Sequence, residues 1–191
     1  TWDVPLSGGL FLGTFVGSLV LLFAMHIMAR GSQEASPLAL LPTALFAGLQ
    51  GAMLGPVFNH YTKVLGPDLF MVVCLGTGGV MAVTGIISTL LTFNYRKVES
   101  YLLIILLGMI LVSIGSIFVT MSSAFNILYC LGGIALFTVF FLVDFMRLRD
   151  EQGHGVNGWG EASLIAVNLY LDELNLLLYA LRLASALKGK D

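Results

Sequence analysis

Six runs of about twenty mostly apolar residues divide this chain, at roughly 8–29, 38–58, 69–93, 101–121, 125–146 and 162–187. A run of that length is what an α-helix needs to cross the hydrocarbon of a bilayer. A membrane barrel would instead show alternating segments of about ten residues, so the runs predict helices. Composition agrees. The chain is 58% hydrophobic and 10% charged, with a mean hydropathy of +0.94, whereas soluble proteins carry about 25% charged residues. The expected architecture is all-α, a polytopic transmembrane bundle of six spans forming a single domain over residues 1–191, with the lipid bilayer as its immediate partner. Short connections leave no room for a separate soluble domain. The net charge of −2 and the lack of a basic run exclude a nucleic-acid partner.

Basic residues set the expected orientation. Arg30 follows the first run, Arg96 and Lys97 the third, and Arg147 and Arg149 the fifth, while the alternate connections carry only Lys63. The richer side faces the cytoplasm or its organellar equivalent. The tail lysines Lys188 and Lys190 fall on the opposite side. Cys74 and Cys130 lie inside apolar runs without a metal or redox pattern, and are expected to be buried and reduced. No signal peptide is expected, since no short apolar segment precedes a small-residue cleavage site.

Small residues at Gly13 and Gly17, Gly51 and Gly55, and Gly76, Gly78 and Gly79 predict close helix packing. Pro42 and Pro56 predict a kink or early unwinding of the second run. The hydroxyls of Thr77, Thr84, Ser88 and Thr92 are expected to bond to their own helix backbone. The most polar stretch, 147–160, reads as a flexible glycine-rich loop, and His154 within it as solvated rather than metal-bound.

The last run is the one expected to organise the bundle. Asn168, Asp172, Asn175, Tyr179 and Arg182 are spaced four, three, four and three, so they form one polar stripe on an otherwise apolar helix. An ionised side chain at bilayer depth costs at least about 2.5–3.5 kcal/mol, so the stripe faces protein or water rather than lipid. Asn168, Asn175, Tyr179 and Arg182 are therefore candidate pore-lining residues. Asp144, in the segment FFLVDFMRL, closes the preceding run. Antiparallel neighbours joined by a short loop bring Asp144 and Asp172 to comparable depth if the helices tilt. Two carboxylates in a low-dielectric site do not easily both ionise, so the pair titrates as a unit. When ionised it offers hard oxygen ligands to a cation, fewer than the six to eight that calcium prefers. A purely structural alternative stands beside this: Asp144 pairs with Arg147 at the interface and Asp172 with a helix neighbour. Glu173 points about 100° from Asp172 and has no assigned role.

The segment LYLDELNLLLYALRL at 169–183 resembles the closing signature of the Bax inhibitor (transmembrane Bax inhibitor motif) family of multi-pass membrane proteins. Leu54-Gly55-Pro56-Val57-Phe58 is similar to that family's LGP-type segment, and Asp144 stands where the family has an aspartate after an aromatic context. The resemblance implies a seven-helix bundle with the final helix at its centre and a pH-sensitive calcium leak governed by an aspartate pair, here Asp144 and Asp172. It also implies an arginine that engages the pair, with Arg30 in the comparable place. Six spans rather than seven would mean that the family's first helix is absent, removed or not included. Phe145-Met146 after Asp144, and Glu173 where the family usually has an apolar residue, depart from the pattern.

The leading expectation is thus a calcium or cation leak channel or exchanger, with Asp144, Asp172 and Arg30 as ion and proton sensors and Asp144 and Asp172 as cation ligands. Calcium enters as transported ion, and no cofactor is expected. The competing expectation is a non-transporting protein that docks on a membrane protease or another membrane complex. No enzymatic activity is expected: Asp172 lacks the Gly-x-Gly-Asp setting of intramembrane aspartyl proteases, and no nucleophile constellation replaces it. A bacterial inner membrane, or a mitochondrial inner or endoplasmic reticulum membrane, is the expected location.

Overall fold

The structure, a computed structural model, describes residues 8–31, 40–116, 118, 122–153 and 159–189. Six helices account for nearly all of them: α1 (Gly8–Gly31), α2 (Leu40–Leu65), α3 (Pro67–Leu90), α4 (Tyr95–Gly115), α5 (Ser123–Gly153) and α6 (Trp159–Lys188). Among the described residues there is no strand. Helices α2 to α6 are each long and apolar enough to cross a membrane, and the described side chains of α1 add an apolar stretch at Val16–Met25. This is a multi-pass integral membrane protein.

Several boundaries differ from those the apolar runs predict, for a common reason. In hydrocarbon the backbone has no water to bond, so a helix continues wherever its amides would otherwise be stranded. Pro42 sits in the first turn of α2, where its missing N–H has no partner to lose. Helix α2 then passes through Pro56 without unwinding and runs on to Leu65. It stops at Gly66, whose φ of +85° suits a glycine, and Pro67 opens α3. Helix α4 starts at Tyr95, ahead of its apolar run, because the Asn94 side chain accepts a hydrogen bond from the Lys97 amide at 3.4 Å. The polar stretch expected as a loop is helical as far as Gly153. His154 lies outside the described residues.

The chain divides into two compact units. In the first, comprising residues 1–63 and 155–167, Gly17 of α1 faces Leu49 of α2, at a distance where an added Cβ would stand 3.4 Å from Leu49 Cδ1. Ser18, Met25, Phe46, Leu54, Ile165 and Val167 are its buried residues of note. The second unit comprises residues 64–154 and 168–191. Its core is built on α5: Leu136, Phe137, Phe140, Phe141 and Val143 meet Leu102 of α4 and Leu176 of α6, with Val80 and Met81 of α3 packed alongside. Helices α5 and α6 share the interior, with 39% of each span buried, against 11% for α3 and 6% for α4. The outward faces of α3 and α4 present Leu75, Ile86, Leu90, Ile104, Leu107 and Leu111, as contact with acyl chains requires.

Glycines mark where α5 comes closest to its neighbours. A Cβ on Gly133 would lie 2.5 Å from the Tyr179 ring of α6, and one on Gly85 of α3 would lie 3.3 Å from the Phe145 ring. Of the glycines expected to serve this purpose, Gly17 meets Leu49, but an added Cβ at Gly13, Gly51, Gly55, Gly76, Gly78 or Gly79 meets nothing within 4 Å. Spacing alone marks a smooth helix face, and only a bulky residue on the facing helix turns that face into a socket. The buried hydroxyls behave as expected, with Thr77 donating to the Cys74 carbonyl, Thr84 to Val80 and Met81, and Ser88 to Gly85. Thr92 lies beyond the end of α3 and is exposed.

Charged residues fasten the ends of this unit. Arg149 at the close of α5 donates to the carbonyls of Ser88, Thr89 and Leu91, which α3 leaves unbonded at its C-terminus. At the same end Tyr95 donates to Asp150 at 2.7 Å and Arg147 meets Glu99 at 3.9 Å. An open pocket of about 320 Å³ lies there between Phe93, Tyr95, Met146 and Arg149. At the other end Lys188 donates to the carbonyls of Val64 and Leu65.

Two substitutions test this packing with opposite signs. Gly133→Ala forces Tyr179 to move and is expected to cost about 1–3 kcal/mol, as overpacking does, whereas Gly76→Ala, in open space on a helix, is expected to be neutral or stabilising by about 0.5–1 kcal/mol. Thermal unfolding in one detergent compares them directly. Arg149→Ala removes three charge-assisted bonds and is expected to lower the same midpoint, with faster amide exchange over the last turn of α3.

Candidate functional site

Two buried acids define the site. Asp144 lies within α5 and Asp172 within α6, 7% and 8% exposed, each inside a membrane span. Their side chains are in hydrogen-bond contact with one another. An ionised carboxylate has no hydrogen to donate, so a hydrogen bond between two carboxyl groups holds a proton between them. The outer oxygen of Asp172, Oδ2, is buried and has no hydrogen-bond partner. The site therefore brings together two carboxyl groups placed to share a proton and an acceptor oxygen kept from water. In hydrocarbon, leaving such an acceptor unbonded is costly.

The contact follows from helix register. Phe137 stacks on Tyr179 with ring centroids 5.9 Å apart. Phe137 is seven residues before Asp144, and Tyr179 is seven residues after Asp172. Seven residues are two helical turns, so both contacts belong to one antiparallel α5–α6 seam. Gly133, one turn further along α5, lets that seam close around the Tyr179 ring.

Along the stripe, the residues take different partners. Asp172 alone is fully buried, while Asn168, Asn175, Tyr179 and Arg182 are half-buried. The Asn175 amide nitrogen donates to the Leu171 carbonyl one turn back at 2.8 Å, which leaves its carbonyl end as the group able to act on a ligand. The Tyr179 hydroxyl lies 3.1 Å from the Tyr129 hydroxyl, and Tyr129 gives its own hydrogen to the Met109 carbonyl at 2.9 Å. Tyr179 is thus the donor in the tyrosine pair. Arg182 places its guanidinium 5.4 Å from the centre of the Tyr129 ring, within reach of a cation–π attraction. This part of the stripe is engaged by α5 and α4 in the present state.

Glu173 turns toward α3. Thr77 and Cys74 of α3 are its electrostatic neighbours, and its Oε2 is buried without a hydrogen-bond partner. Among the described residues no group of three or more His, Cys, Asp and Glu side chains converges as metal ligands. The side chain of Arg30, in the last turn of α1, lies outside the described residues, as does His154.

Sequence reasoning missed Tyr129, Gly133 and Thr77 as parts of this site. Gly132-Gly133 inside an apolar run was the available signal for the socket. Tyr129 carried none, because its partner Tyr179 is distant in sequence. Thr77 was read only as a residue bonding to its own helix, and its place beside Glu173 depends on which face of α3 meets α6.

The chain matches the family described as "Inhibitor of apoptosis-promoting Bax1" over residues 2–190. That span takes in all six helices and both acids, so the protein belongs to this Bax inhibitor-like family of transmembrane proteins.

Proposed function

We propose that this protein is a leak pathway or exchanger for calcium and related cations, with the Asp144–Asp172 pair as its proton-sensing element. The observation that carries this reading is the side-chain hydrogen bond between two acids buried in adjacent membrane spans. Such a pair has two chemical states. With a shared proton it is a compact, singly charged contact that holds α5 against α6. Without that proton, two like charges face each other in a medium of low dielectric, and they separate or take up a cation.

A divalent cation replaces the proton's role by neutralising both carboxylates. Asp172 Oδ2 is already aimed into the protein without a hydrogen-bond partner, and the carbonyl end of Asn175 lies one turn along the same stripe. Two carboxylates and an amide oxygen fall short of the six to eight oxygens that calcium prefers. Such a site holds the ion weakly, which suits passage rather than storage.

Calcium flux into indicator-loaded liposomes containing the purified protein tests this. Flux is expected to change with pH, and Asp144→Asn or Asp172→Asn is expected to abolish that step, because an amide cannot titrate. The double variant is expected to match the single ones, since the pair acts as one unit. Wild-type pH profiles retained in all three variants would end the proposal. Absence of flux together with stable co-purification of a membrane complex would favour a docking role instead.

A further inference from the structure

The open pocket of about 320 Å³ where α3, α4 and α5 meet at one end of the second unit lies outside the aspartate pair. Thr92 and Phe93 of the α3–α4 turn, Tyr95 of α4, and Met146, Arg149 and Asp150 of α5 line it. Its lining carries both signs of charge, because α5 supplies a cation and an anion on consecutive residues. Arg149 bonds to the carbonyls of Ser88, Thr89 and Leu91, all of them neutral groups. A guanidinium has five N–H groups, so it can hold three carbonyls and an anion as well. Its charge is held in place but is not cancelled by a carboxylate: among the described residues, the ion pair at this end joins Arg147 to Glu99. Asp150 accepts the Tyr95 hydroxyl at 2.7 Å, and a carboxylate accepts several hydrogen bonds at once.

Position then narrows the occupant. Helix α3 stops at Leu90 and α4 begins at Tyr95, so the pocket sits where spans end, at the depth of lipid head groups. Aromatic residues such as Phe93 and Tyr95 are at home in that layer. Just inside it, the last turns of α3 turn Ile86 and Leu90 outward, 66% and 78% exposed, as a path for acyl chains. Ligand pockets run from about 300 to 1,000 Å³, so this one takes a head group and leaves the chains in the bilayer. A head group with only negative charge would meet Asp150. One that carries a phosphate and a primary ammonium matches both charges, and the ammonium brings three N–H donors to the carboxylate, which a quaternary amine lacks.

We propose that this pocket binds the head group of phosphatidylethanolamine, with the phosphate on Arg149 and the ammonium on Asp150. The lipid phosphate and the last carbonyls of α3 then share one guanidinium, so the bound lipid steadies the end of that helix. The site uses neither Asp144 nor Asp172, and its test needs no flux measurement, so it stands apart from the calcium reading.

Native mass spectrometry of the full chain, purified in detergent and mixed with single phospholipids of matched acyl chains, tests this. Phosphatidylethanolamine is expected to be held about tenfold more tightly than phosphatidylglycerol or phosphatidylcholine, one decade in Kd. Asp150→Asn keeps an acceptor for Tyr95 and removes the negative charge, so the preference over phosphatidylglycerol is expected to vanish. Arg149→Gln is expected to weaken phosphatidylethanolamine and phosphatidylglycerol alike by about tenfold, the loss of a charge-assisted hydrogen bond to phosphate. Should that variant fold poorly because α3 loses its cap, Asp150→Asn decides the matter alone. Equal retention of the three lipids by the wild type, or a preference for phosphatidylethanolamine that survives Asp150→Asn, would overturn the proposal. Soluble phosphoethanolamine is expected to displace the lipid only at far higher concentration; displacement at equal concentration would make the occupant a free zwitterion and overturn the lipid assignment.

Discussion

Hydrocarbon solvates no polar group, and the structure is arranged around that constraint. A helix that carries Asn, Asp, Glu, Tyr and Arg through a bilayer must find partners for them within the protein. Helix α6 does so around its circumference. Asp172 goes to Asp144 on α5, Tyr179 to Tyr129, and Arg182 to the face of the Tyr129 ring, while Glu173 has Thr77 of α3 as a neighbour. The apolar contacts between these helices, Phe137 and Leu176 among them, then fill the spaces that the polar contacts define. The order of dependence runs from polar partner to apolar packing, because in lipid an apolar side chain gains little by moving from acyl chains to protein.

Much of this was legible before any coordinates. Length and hydropathy located the helices, since a span needs a run of apolar residues and nothing else in the chain competes with that signal. The four-and-three spacing of Asn168 to Arg182 showed that α6 has a protein-facing side, and Asp144 was identifiable as the one acid on the preceding span able to reach it. Partner choice was less legible. Arg147 and Arg149 contribute to charge bias, which sets orientation, but the role of Arg149 as the cap of α3 depends on where that helix ends in space. Likewise Gly76, Gly78 and Gly79 form the most conspicuous glycine cluster, yet Gly133 and Gly85 are the ones that meet a ring. A glycine's importance is decided by the residue opposite, and one chain's sequence does not name that residue.

Pro56 shows the same limit from the other side. In water a proline within a helix commonly marks its end, because the freed carbonyl is taken up by solvent. In the membrane nothing takes it up, and stopping would strand further amides, so α2 continues to Leu65. The rules that govern helix ends in soluble proteins reappear only at Gly66 and Asn94, where the chain turns between spans.

The heptad that separates the acids from the aromatic contact on both helices ties these features together. Asp144 with Asp172, and Phe137 with Tyr179, are two rungs of a single seam, with Gly133 giving the lower rung its depth. Helices are stiff over two turns, so a change of spacing at the acids cannot be absorbed before it reaches the ring. Whatever sets the spacing of the two carboxyl groups therefore acts on more than their own pocket: it bears on the distance at which Tyr179 sits in its socket and bonds to Tyr129. Because Tyr129 is in turn bonded to the Met109 carbonyl of α4, the spacing at the acids is tied to three helices through directional contacts.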